Sequence, residues 1–292
     1  MYELIQASDR CFYIESPAKV GVIRTGENEV LLIDSGSDGS AGKKIKQHLD
    51  SKGWTLRAIL NTHSHADHIG GNRYLQSRTG CRIYAPGIER DFTEHTILEP
   101  SFLYGGNPPE KLRHKFLMAQ GSDVLPLTEG CFPGCPEIIP LPGHSFDMAG
   151  FRTDEDIVFL ADCLSSEETL NKYGIVFLAD VGAYLATLKA VKEMKARLFI
   201  PSHAAPTEDI APLAERNIQS VLQIAETVVG FLKEPATFEM LLKRLFERYG
   251  LRMTFEQHAL VGSTVRSYLA WLKSQGRVEA LIEDNTLLWR KI

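Results

Sequence analysis

Four potential metal-binding groups crowd into six residues, His63-Ser64-His65-Ala66-Asp67-His68. Imidazole nitrogens and carboxylate oxygens are the common protein ligands of zinc and related divalent metals. A regular strand points alternate side chains to opposite faces, so His63, His65, Asp67 and His68 converge only if the chain turns sharply. Gly70-Gly71, directly after them, supplies the backbone freedom for such a turn. Unpaired polar groups gathered without a ligand are costly. Metal-assisted chemistry is therefore a better reading of this run than a turn of solvated histidines.

Three more groups of the same kind lie further on. His144 stands in LPGHSF, after the apolar run EIIPL and a Pro-Gly turn; Asp162 ends DIVFLAD; His203 ends RLFIPSH. Each follows an apolar strand, and layered α/β folds concentrate functional groups at strand ends. Any one of them alone could be a structural polar residue. Together with the 63–68 run they complete a set large enough for two metals.

The elements that must position these residues are legible from periodicity. CFYIES, KVGVIR and EVLLID read as short strands, and residues 40–51 as a helix with Ile45 and Leu49 on one face. The strand LRAILNT runs straight into His63. A helix over 69–78 and a strand CRIYAP follow, then strands EIIPLPG, AGFRT and DIVFLADC, a helix over 182–195, the strand RLFIPSH and a long helix over 209–232. This order predicts a layered α/β domain. Residues 91–123 break the pattern with aromatic residues, Gly105-Gly106 and Pro108-Pro109, and read as a lid or binding insertion. Phe102 and Tyr104 within it, and Tyr173 beyond Asp162, are candidates for the substrate pocket; Tyr104, His95 and Tyr173 are candidates for protonating a leaving group. The tail, 234–292, reads as helices over 237–249, about 256–260 and 264–275, then two strands separated by Asp284-Asn285. Three helices and a hairpin make a winged-helix-like module.

Composition narrows the function classes. The net charge of −5 offers no general attraction to nucleic acid. From Pro235 onward the tail carries +3, with 9 Lys/Arg against 6 Asp/Glu, and the remainder −8. Five cysteines, an odd number in a long chain, argue against a disulfide framework. No run approaches the roughly 20 apolar residues of a membrane span, and no leader stands out, so a cytoplasmic location without membrane association is expected.

On His63-Ser64-His65-Ala66-Asp67-His68, with His144, Asp162 and His203 in order after it, the chain resembles the metallo-β-lactamase-fold superfamily, whose signature is H-x-H-x-D-H. The resemblance covers about residues 1–230. It implies an α/β fold, a four-layer αββα sandwich, as a catalytic domain over 1–233 followed by the small winged-helix-like domain over 234–292. It also implies that His63, His65 and His144 bind one metal, that Asp67, His68 and His203 bind a second, and that Asp162 bridges them. Asp34, in LLIDSG, would stand behind the ligands and orient them, although a turn-capping role explains it equally well. The implied cofactors are two divalent ions, zinc first, with iron or manganese as alternatives. The tail is similar to that of a subgroup that includes the mammalian β-lactamase-like protein.

The expected activity is hydrolysis of a small carbonyl substrate, a thioester, lactone or ester, by a metal-bridging hydroxide that Asp67 orients or deprotonates. A nuclease or phosphodiesterase acting on RNA or a nucleotide is the alternative that the basic tail suggests. A mononuclear iron dioxygenase of sulfur compounds is a lesser one, because all seven ligand positions are filled. A small-molecule substrate is favoured over nucleic acid as the partner, and the chain is compatible with a homodimer.

Overall fold

The computed structural model describes residues 2–292. A seven-stranded sheet takes its strands in chain order: β1 (Glu3–Gln6), β2 (Cys11–Glu15), β3 (Val20–Arg24), β4 (Glu29–Ile33), β5 (Thr55–Leu60), β6 (Arg82–Ala85) and β7 (Leu125–Pro126). The first four form an antiparallel meander, and β4 to β7 run parallel. A second sheet has the order β11-β10-β9-β8, from β8 (Glu137–Pro140), β9 (Ala149–Arg152), β10 (Ile157–Ser165) and β11 (Leu198–His203).

The strands are apolar on both faces because both faces are covered. In β2, Cys11 and Tyr13 face the other sheet while Phe12 and Ile14 face helices; in β4, Leu31 and Ile33 point inward and Val30 and Leu32 outward. Phe151, Ile157 and Phe159 of the second sheet meet the inward set. Helices α1 (Gly39–Ser51) and α3 (Asn72–Thr79) cover the outer face of the first sheet through Ile45, Leu49 and Leu75. Helix α6 (Glu167–Tyr173) follows β10, and helices α7 (Val181–Glu193) and α8 (Ala211–Phe231) cover the second sheet. Helix, sheet, sheet, helix is the layering the sequence leads one to expect. Among the described residues no helix is long and apolar enough to cross a membrane.

Two local expectations need correction, the helix over 69–78 and the helices of the tail. The helix expected over 69–78 is two: a single turn α2 (Ala66–Ile69) and α3, parted at Gly70-Gly71. The insertion holds short helices, α4 (Glu89–Glu94), α5 (Leu98–Tyr104) and a 3₁₀ turn (Glu110–Leu112), before β7. In the tail, α9 (Phe238–Arg248) is followed by one long helix α10 (Phe255–Ser274) in place of two. Val261, Val265, Tyr268, Leu269 and Leu272 form one buried stripe across the expected break, and its packing outweighs the weak helix propensity of Gly262. The hairpin β12 (Val278–Glu283) and β13 (Thr286–Lys291) turns at Asp284-Asn285, both at positive φ, as a two-residue hairpin turn requires. Ala236 makes an isolated antiparallel bridge to Trp289, on the other side of β13 from β12. Leu241, Leu245 and Leu269 join the same core as Val221 and Leu188 of α8 and α7.

Candidate metal centre

The 63–68 run leaves β5 through two buried polar residues, Asn61 and Thr62. Asn61 pairs with Asn72 at the start of α3 (2.8 Å), which closes the turn on itself. Asp34, at the end of β4, adopts a left-handed backbone (φ 64°) and aims its carboxylate across the strands. It accepts from the Thr62 amide and hydroxyl (both 2.8 Å) and lies 2.7 Å from Nδ1 of His68. Gly70 and Gly71 allow the segment after β4 to lie directly on the turn. A Cβ at Gly70 would sit 2.2 Å from the Ser37 backbone, and one at Gly71 2.2 Å from the Ser35 carbonyl. Glu89, which the sequence reading missed, fastens the turn from the other side. It accepts from the Ser64 amide (3.0 Å) and hydroxyl (2.6 Å), and from the Asp147 amide of the His144 loop (3.1 Å). A glutamate at the head of a helix after a strand was visible in sequence, but its partners lie 25 and 58 residues away.

The other three groups arrive from the second sheet. His144 stands in the β8–β9 connection, and Asp162 in a bulged part of β10, where Ala161 takes a positive φ of 48° and the register against β11 shifts. Bulges redirect side chains in this way. His203 is the last residue of β11.

The seven side chains fall into two sets whose ligand atoms lie within 4.8 Å of one another: His63, His65 and His144, and Asp67, His68, Asp162 and His203. In the first, His65 Nδ1 is 3.0 Å from both His63 Nε2 and His144 Nε2. In the second, Asp162 Oδ1 is 3.1 Å from His68 Nε2, and Oδ2 is 3.1 Å from His203 Nε2. Asp162 Oδ2 also reaches the first set, 3.6 Å from His144 Nε2. His68 Nε2 and Asp162 Oδ1, although 3.1 Å apart, are not aligned as a hydrogen bond, and both are buried with no other partner. Converging lone pairs and orphaned buried polar atoms are unfavourable in isolation. They fit cations lying between them, and the nitrogen and carboxylate donors suit zinc-like metals.

A family model described as the metallo-beta-lactamase superfamily matches residues 14–203. The chain belongs to this superfamily. Among curated relatives, the "Hydroxyacylglutathione hydrolase" of Nitrobacter hamburgensis is 32% identical over 144 residues, 47% of this chain and 48% of that protein. That of Rhodopseudomonas palustris is 47% identical over 141 residues, 46% of this chain and 45% of that one. The matches thus span about half the length of these relatives. Among solved structures, a metallo-beta-lactamase family protein from Thermus thermophilus has a TM-score of 0.73 at 20% identity, covering 99% of this chain and 98% of its own. A beta-lactamase domain protein from Burkholderia ambifaria has a TM-score of 0.76 at 15% identity, covering 99% and 94%. These are likenesses of fold, and they extend through the C-terminal residues.

In this member of the superfamily the cluster opens into two cavities that share His144, Asp162, Phe177 and Leu260. One, of about 210 Å³, adds His65 and Asp67, with Glu99, Phe116 and Leu117 from the insertion. The other, of about 360 Å³, adds His203 and Tyr173, with Leu251, Arg252, Gln257 and Val261 from the C-terminal region. Of the pocket residues expected from sequence, Tyr173 lines the site. Phe102 and Tyr104 do not: α5 turns Phe102 onto Phe146 of the β8–β9 connection and Tyr104 onto Phe255 at the start of α10. His95 ends α4 and is exposed. The contribution of α10 went unforeseen, since only tertiary packing brings Leu260 to His144.

The electrostatics divide the two sets. Burial, with repulsion from His68, holds the His63 pKa well below the usual histidine value. Burial takes His65 and His144 down to about 4. Their neutral nitrogens are in the form that binds metal. Burial also opposes charge on His68, but Asp162, Asp67 and Asp34 outweigh it and raise its pKa. His203 is raised to about 10, first by Asp162. Burial opposes the charge of Asp67, yet His68 and a hydrogen bond from His203 hold it at about 2. Protons balance the carboxylates of this set, and a metal would displace them. Cys163, next to Asp162, is buried with its thiol pushed up by burial, which marks a packed and unreactive group.

Proposed function

We propose that this protein is a metal-dependent hydrolase with two divalent cations, zinc first, in one site, acting on a small carbonyl substrate of the thioester, lactone or ester class. The observation that carries the reading is Asp162, whose carboxylate oxygens approach ligand nitrogens of both sets. His63, His65 and His144 would hold one ion, Asp67, His68 and His203 the other, with Asp162 between. When bound, such ions supply Lewis acidity toward a substrate oxygen and lower the pKa of water. Asp67 lies 3.3 Å from His203 Nε2 and faces the smaller cavity, where it can orient a water or accept its proton.

The thioester class is supported by the curated relatives, which carry the name hydroxyacylglutathione hydrolase. The apolar cavity walls from Ile175, Val176, Leu260 and Val261 suit the body of a small molecule. Residues 234–292 serve in this reading as a winged-helix-like module that walls the site. Three of the tail's nine basic groups, Arg277, Arg290 and Lys243, are each paired with a glutamate, which reduces the free positive charge a nuclease reading would draw on. A single-iron dioxygenase would leave one of the two complete ligand sets unexplained.

The deciding experiment combines metal analysis with a panel of thioesters, lactones, phosphodiesters and RNA on zinc-loaded protein. Thioester turnover that disappears with chelator and returns with zinc is expected. Turnover of RNA alone, falling steeply with salt, would reverse the order of the two readings.

A further inference from the structure

Four of the five histidines in the cluster have the opposite ring nitrogen fixed by an oxygen: His63 by Thr62 (2.9 Å), His68 by Asp34 (2.7 Å), His144 by the Phe177 carbonyl (3.1 Å) and His203 by the Pro17 carbonyl (2.9 Å). His65 differs. Its Nδ1 faces the cluster, and its Nε2 faces the carboxyl of Glu99, with Oε1 at 3.6 Å. Glu99 belongs to α5 of the insertion and is 8% exposed. Among the described residues no backbone or side-chain donor hydrogen-bonds to it. Glu89, at 1% exposed the more deeply buried of the two, is satisfied by Ser64 and Asp147 and needs no further explanation. A carboxyl largely withdrawn from water at a cavity wall, and accepting from no donor, destabilises a fold unless another interaction compensates. The imidazole of His65 is the polar group Glu99 faces.

We propose that Glu99 is a positioning residue for His65: it holds the ring with Nδ1 on the metal, so that the insertion supports a metal ligand. The proposal rests on reading the cluster as a metal site. The same insertion places Phe116 and Leu117 in the cavity that His65 and Glu99 line. One segment therefore both covers the substrate and steadies a ligand, and metal affinity and pocket shape are linked through it. Carboxylates behind ligating histidines are worth about 10–100-fold in metal affinity.

Three substitutions in the full chain test this: Glu99→Met, Glu99→Asp and Glu99→Gln. The readouts are zinc affinity by chelator competition, the visible spectrum of the cobalt-substituted protein, and the melting temperature of the metal-free protein. Glu99→Met should raise the metal-free melting temperature, because an undonated buried carboxyl is gone. It should also weaken zinc at the three-histidine set by about 10–100-fold and shift the cobalt bands. Glu99→Asp, which withdraws the carboxyl by one methylene, should weaken zinc too, and it keeps the test open if the methionine variant folds poorly. Glu99→Gln keeps an acceptor oxygen and should retain most of the affinity. Wild-type zinc affinity and cobalt spectra in both the Met and Asp variants would overturn the proposal. Failure of the wild-type protein itself to take up zinc would overturn the metal reading, a separate result.

Discussion

Asp34 Oδ2 lies 2.7 Å from Nδ1 of His68, and both side chains are buried. The same carboxylate accepts from the Thr62 amide and hydroxyl, so it clasps the ends of β4 and β5 to the turn α2. Replacing Asp34 by Ala leaves a buried amide and a buried imidazole nitrogen without partners. The expected cost is about 2–4 kcal/mol in stability. The expected loss of metal affinity at the set containing His68 is about 10–100-fold. Chemical unfolding and zinc titration measure the two effects separately. Wild-type zinc affinity in a destabilised variant would confine the clasp to folding.

Asp162 and His144 should behave differently on removal. Asp162 approaches nitrogens of both sets, whereas His144 belongs to one. His144→Ala should lose about half of the bound metal, and Asp162→Ala most of it. Elemental analysis of protein purified without chelator checks this, and equal losses in the two variants would speak against a shared carboxylate.

The pKa shifts fix the sign of a pH dependence in the metal-free protein. His65 and His144 titrate at about 4 when folded, against 6.5 for the free side chain. The unfolded chain then binds protons that the folded one refuses, so stability falls as pH drops from 6.5 toward 4. Asp67, held at about 2 against 3.8, contributes stability above 3.8 that is lost as pH falls through about 2. His203, raised to about 10, contributes stability that is full below 6.5 and is lost as pH rises through about 10. The slope per group is at most roughly 1.4 kcal/mol per pH unit. Unfolding of the chelated protein should show greatest stability near 6.5, and a profile still rising toward alkaline pH would contradict these assignments.

Arg252 lines the larger cavity and makes no ion pair among the described residues. For the proposed hydrolase, Arg252→Gln should raise KM about tenfold for thioesters whose thiol portion carries a carboxylate, the value of one charge-assisted hydrogen bond. KM for neutral esters and kcat for both should stay close to wild type. Steady-state kinetics on matched charged and neutral substrates decide it, and an equal effect on both would assign Arg252 to the packing of the 249–257 segment.

The layered fold was readable in the chain because the strands alternate apolar residues on two covered faces and the helices show one-sided apolar stripes. Local pattern splits α10 into stretches of about 256–260 and 264–275, while the stripe that makes it one helix, Val261 to Leu272, is recognisable as continuous only once tertiary packing buries it. Phe102 and Tyr104 were expected in the pocket because aromatic residues in an insertion often line one. Their direction depends on how α5 seats against α10, which no local pattern encodes.

By itself, the sequence determined the seven ligand-type groups, their order and their places at strand ends, since residue type and strand periodicity are local properties. The division into two sets was implied only by the family resemblance; the tertiary structure brings the side chains into two clusters, with Asp162 of one reaching toward His144 of the other, through a bulge at Ala161 and two sheets packed face to face. It also supplied the partners of Asp34, which the resemblance had placed behind the ligands, and brought to the turn Glu89 and Glu99, whose neighbours there are remote in the chain and near only after folding. A carboxylate's sequence neighbours do not reveal what it will be buried against, and that burial sets its role.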